Sequence, residues 1–103
     1  MQVIRPRDFR PQAAWDALDI ARIDGVTVRL HWTDQPYKWH VNDGPEVFVV
    51  LEGIVDMRTR DANGERTHRL NPGDIFHAED GDEHVACPVG AARVLVIERA
   101  GSV

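Results

Sequence analysis

From Gly25 onward, apolar and polar residues alternate: Val26, Val28, Leu30 and Trp32 are interleaved with Thr27, Arg29 and His31. A period of two places these sets on opposite faces of one strand. Similar short segments follow at Lys38 to Asn42, Glu46 to Leu51, Ile54 to Arg60, Thr67 to Leu70, Ile75 to Ala78, His84 to Ala86 and Arg93 to Glu98. Turn-forming residues separate them, among them Asp43-Gly44-Pro45, Glu52-Gly53, Asn63-Gly64, Pro72-Gly73-Asp74 and Asp80-Gly81. Short strands at this spacing predict an all-β sandwich, jelly roll or small barrel. One exception precedes them. Residues 11 to 19 begin with a proline suited to a first helical turn and are rich in alanine, which predicts a short N-terminal helix.

The chain has 103 residues, enough for one domain: an arm and short helix over 1–22 and a barrel over 23–99. A net charge of −5 without a local basic cluster argues against a nucleic-acid partner. The longest apolar run, Val47 to Leu51, is far shorter than the ~20 residues of a membrane span. Cys87 is the only cysteine and closes no internal disulfide, and the arginine-bearing N-terminus lacks the apolar block of a secretory signal; both point to a reducing cytoplasm. Outward-alternating Val47, Val49 and Leu51 would be exposed on a lone barrel, which predicts a homodimer.

Candidate chemistry begins at Trp39-His40-Val41-Asn42-Asp43-Gly44-Pro45-Glu46. Proline lacks the N–H of a ladder residue, so a three-residue loop of Asp43, Gly44 and Pro45 is expected between two strands. In that hairpin Asn42 faces Glu46 and His40 faces Phe48, so all four share a sheet face. His40 and Glu46 become diagonal neighbours at roughly 7 Å. A hairpin with solvated side chains is the alternative. Downstream, a Pro-Gly turn, a strand and a second glycine turn lead to His84.

Asp34, His40, Asn42, Glu46 and Gly53 stand at the spacings of the cupin family's first motif, and Gly73, Glu79, Gly81, His84 and Pro88 at those of its second. Six of these ten positions hold the family's residue. The chain therefore resembles a small single-domain cupin. The resemblance implies a double-stranded β-helix, a jelly-roll barrel with a divalent metal at its mouth. Carried over, the ligands are His40, Glu46 and His84, with Asn42 in place of the second histidine and available only as an amide oxygen. Two histidines and a carboxylate suit Fe(II), and also accept Mn, Ni or Zn.

Phe48, Val50, Val55 and Met57 are expected to line the pocket, with His77 as a further pocket residue or alternative ligand. His31 and His68 are read as surface residues, Cys87 as a structural thiol facing away from the pocket. Trp15, Trp32, Tyr37 and Trp39 either pack or rim the pocket, and Arg29 is either a surface residue or an anchor for a small anion. Residues 79 to 83 are either a cation site or a solvated acidic turn. Two functions remain open: a metal site acting on or binding a small polar metabolite, and a non-enzymatic small-molecule-binding or sensor module without metal.

Overall fold

The computed structural model describes residues 1–102. Its strands are β1 (Ala17–Ile23), β2 (Val26–Thr33), β3 (His40–Val41), β4 (Glu46–Asp61), β5 (Gly64–Leu70), β6 (Ile75–Ala78) and β7 (Glu83–Arg99). All pairings are antiparallel, in the order β1-β2-β7-β4-β5, with β3 beside β7 and β6 beside β4. The expected all-β class is found.

Two long strands position everything else. The second half of β7 pairs with the first half of β4 and with β2, whereas its first half pairs with the second half of β4 and with β3. Four expected strands thus fuse into two. The join in β4 is irregular, with register shifts between Val50 and Glu52 and between Glu52 and Ile54. A bulge of this kind moves the inward face from one parity to the other. Glu46, Phe48 and Val50 are buried before it, Val55 and Met57 after it. Gly53 sits at this join with φ +81°, and a Cβ there would lie 2.3 Å from the Ala91 carbonyl oxygen, so only glycine fits. The interior cluster draws Phe48, Val50, Val55 and Met57 from β4, Leu70 from β5, and Ala86, Val94 and Val96 from β7.

Two local expectations are corrected. Residues 11 to 19 form no helix; the helical turn is a 3-10 turn at Pro6–Asp8, and Ala17–Ile23 is strand. Pairing with β2 through the Asp24-Gly25 turn, where both φ angles are positive, overrides the alanine propensity. Trp15 also takes φ +64°, which no helix accommodates. The expected hairpin of His40 with Phe48 does not form either. β3 pairs with β7, placing His40 opposite His84. The intervening segment is held by the acidic loop: Asn42 N–H donates to Asp82 O (2.8 Å), Gly81 N–H to Asn42 O (3.0 Å) and Gly44 N–H to Asp80 Oδ1 (2.9 Å). Since Asp82 Oδ2 also accepts from Glu79 N–H (2.8 Å), Asp80 and Asp82 are engaged in fastening backbone.

Val47, Val49 and Leu51 are half-buried rather than exposed. The N-terminal segment lies against β4 and is tied down by Arg93, whose Nε donates to Phe9 O (3.0 Å) while Nη1 pairs with Glu52 (2.6 Å). Among the described residues, no helix is long and apolar enough to cross a membrane.

Candidate metal centre

His40, Glu46 and His84 reach one point from three strands, with one ligand atom of each within 4.8 Å of the others. The β3–β7 register brings the two imidazoles together at 4.4 Å between centroids. Glu46, at the start of β4, places Oε1 3.4 Å from His84 Nε2. These residues lie at the wall of a cavity of about 210 Å³. Phe48, Met57, Ala86 and Val96 form apolar wall, and Trp15 and Tyr37 add aromatic surface.

Hydrogen bonds decide which ring atoms are free. A carbonyl oxygen only accepts, so the 2.9 Å contact of His40 Nδ1 with Lys38 O places the proton on Nδ1 and leaves Nε2 with its lone pair. This is the tautomer of a metal-ligating histidine held by a backbone acceptor. His84 is bound differently: its Nε2 lies 2.7 Å from Asn42 Oδ1, while Nδ1 lies 3.4 Å from the Met57 thioether.

Glu46 is 7% exposed, and its Oε1 has no hydrogen-bond partner. A buried carboxylate oxygen without a partner is costly. Burial raises the Glu46 pKa to about 8, with the charge of Glu98 and a hydrogen bond between the two carboxyls adding to the shift. Glu98 is its direct partner across β4 and β7, and burial raises its pKa as well. Burial, and then the His40 charge, lower the His84 pKa to about 4. At neutral pH His84 is therefore uncharged and Glu46 keeps its proton. The residues fit a divalent ion: an unshared imidazole lone pair on His40, an unsatisfied carboxylate oxygen on Glu46, and a neutral His84 aimed between them. Asn42 Oδ1 points at the same place.

Three expected pocket residues lie elsewhere. His77 is exposed on β6, facing away from the interior that its neighbour Ala78 enters, and does not line the cavity. Phe76 packs against His84 instead, with centroids 5.5 Å apart. Val50 is fully buried in the core and also does not line the cavity, as is true of Val55. His31 is not a surface residue: it lines the cavity with Arg29. Trp39 lies outside, under the Arg60 guanidinium at 4.0 Å, and Cys87 faces away from the cavity. Glu98 and Phe76 were not singled out from the sequence; Glu98 shares the parity of Val94 and Val96, which pointed it inward.

No protein-family model and no curated protein matches the sequence. Solved structures do. A cupin-2 domain containing protein from Shewanella frigidimarina NCIMB 400 is 25% identical over 94% of both chains, with a TM-score of 0.80. A cupin superfamily protein from Desulfitobacterium hafniense DCB-2 is 18% identical over 81% of this chain and 74% of that one, with a TM-score of 0.70. HppE in its CoII form, in complex with substrate, is 17% identical over 82% of this chain and 52% of that one, with a TM-score of 0.70; an FeII form with substrate also matches.

Proposed function

Since the chain is a small cupin domain, we propose that its sheet is the family's double-stranded β-helix and that His40, Glu46 and His84 hold a divalent first-row metal beside a pocket for a small polar metabolite. The observation that carries this reading is the buried, unpartnered Glu46 Oε1 grouped with the imidazoles of His40 and His84. Three protein donors leave open positions at Fe, Mn, Ni or Zn, where a bound ion supplies Lewis-acid or oxygen-activating chemistry. The cavity's own residues exclude water and orient the ligand: Phe48, Met57 and Val96 by packing, Trp15 and Tyr37 by their aromatic surfaces. The acidic chain suits a small molecule better than a nucleic acid, and a single unpaired cysteine suits a reducing cytoplasm.

One observation favours a second reading, a binding module without metal. Asn42 already accepts from His84 Nε2, so one of the histidines is satisfied without an ion. Elemental analysis of protein purified without a histidine tag or added metal separates the two. About one first-row metal per chain supports the metal centre, whereas a metal-free protein that still binds a small metabolite supports the module.

A further inference from the structure

His31 lies on the face of β2 that carries Thr27 and Arg29, and this polar face is turned into the cavity. The other face carries Leu30, which is fully buried outside the interior cluster. His31 Nδ1 is 3.0 Å from the Trp15 carbonyl oxygen, which only accepts, so the proton resides on Nδ1. Among the described residues Nε2 has no hydrogen bond, and it remains a bare acceptor. Burial holds the ring's pKa below its ordinary value and keeps this acceptor neutral. His31 lies outside the group formed by His40, Glu46 and His84. Edge-to-face aromatics bridge the interval: His31 to Trp15 at 5.8 Å, Trp15 to Tyr37 at 5.1 Å and Tyr37 to His40 at 5.3 Å between centroids.

We propose that His31 determines ligand specificity: its Nε2 accepts a hydrogen bond from a hydroxyl or amine at one end of a small carboxylate, whose other end meets the His40, Glu46 and His84 set. This rests on the metal reading above. A divalent ion with one glutamate leaves a net positive centre that favours an anionic oxygen. At the far end a neutral acceptor, bound to nothing else, favours a ligand with a donor there over one without. Trp15 and Tyr37 pack along the connecting carbons.

The experiment uses the full chain loaded with Zn(II), counted by titration. Carboxylates from acetate to butyrate are compared by calorimetry with counterparts carrying a hydroxyl or an amine on the terminal carbon. At one chain length the donor-bearing acid should bind about fivefold tighter than its parent, the effect of one hydrogen bond. The hydroxyl and amine arms identify the donor. His31→Phe should abolish that preference, and His31→Gln, which keeps an acceptor, should retain part of it. In unaltered protein the Nε2 NMR resonance of His31 should move with the donor-bearing acid and not with its parent, a readout that stands even where a variant fails to fold. Stoichiometric Zn(II) with no donor preference at any length, or a preference unchanged in His31→Phe, overturns the role of His31 alone. Failure to bind Zn(II) overturns the metal reading and this inference with it.

Discussion

Asn42 Oδ1 accepts a hydrogen bond from His84 Nε2 at 2.7 Å, so the amide standing in the place of the cupin family's second histidine engages the nitrogen that faces Glu46. The amide's other end donates from Nδ2 to Gly44 O (3.2 Å), which fixes its orientation. Loading a metal requires the His84 proton to move to Nδ1, beside the Met57 thioether, a weak acceptor at 3.4 Å.

The first prediction follows from that exchange. Asn42→His removes the competing acceptor and adds an imidazole on the same short segment, so metal retention against a chelator should rise roughly tenfold or more. His84→Ala should lose the metal and still fold. Equal retention in these two variants and the unaltered protein would place any bound metal elsewhere.

The pH dependence of the metal-free protein has a definite sign. Glu46 keeps its proton in the folded state up to about 8, whereas the unfolded chain releases it near 4.5. Folding is therefore weakened as pH rises through that window, and the loss levels off above it. His84 acts in the opposite sense: its folded value of about 4 lies below 6.5, so stability rises with pH between those values. The slopes oppose one another at first, and between 6.5 and about 8 Glu46 acts without His84. Melting temperature with chelator present should fall over that interval, and Glu46→Gln should flatten it. Metal retention should rise over the same interval, because metal binding displaces the proton. Glu98→Gln should move the metal-retention midpoint to lower pH by removing a neighbouring charge.

The convergence of His40, Glu46 and His84 was legible because motif spacing survives errors in strand pairing. His40 and Glu46 were expected to meet across a hairpin; they meet instead because β3 and β4 each pair with β7, a long-range contact that no local pattern encodes. Alternation along β2 was also legible, but not which of its faces points inward. A cavity that holds polar chemistry reverses the usual rule, so Arg29 and His31 face in. In β6 the same ambiguity favoured His77, whereas Phe76 packs against His84. The N-terminal helix failed for a different reason: alanine propensity is worth a few tenths of a kcal/mol per residue, less than an eight-residue partner strand offers.

Gly53 should tolerate no side chain. A Cβ at 2.3 Å from the Ala91 oxygen and 3.0 Å from Ala92 Cα meets backbone on both sides, and φ +81° is itself strained for other residues. Gly53→Ala should destabilise by about 2–4 kcal/mol, measured by denaturant unfolding. Because the glycine lies at the join of β4 and not at the cavity, metal stoichiometry of the folded fraction should not change.

The two edges of the sheet differ in a way that bears on assembly. On β5 the exposed residues include Glu65, Arg66, His68 and Arg69, charges that discourage pairing with another strand. At the opposite edge, β1 and the start of β2 expose Leu18, Ile23 (61%) and Val26, with Asp19 and Arg22 the only charges of β1. The predicted dimer is therefore expected to form through β1 and not through the half-buried Val47, Val49 and Leu51. Two β1 strands aligned antiparallel about a twofold axis would bury Leu18 and Ile23 of both copies. Sedimentation at micromolar concentration should show a dimer, and Ile23→Lys should shift it to monomer without lowering metal content. A monomeric unaltered protein would show that this apolar edge is not an interface.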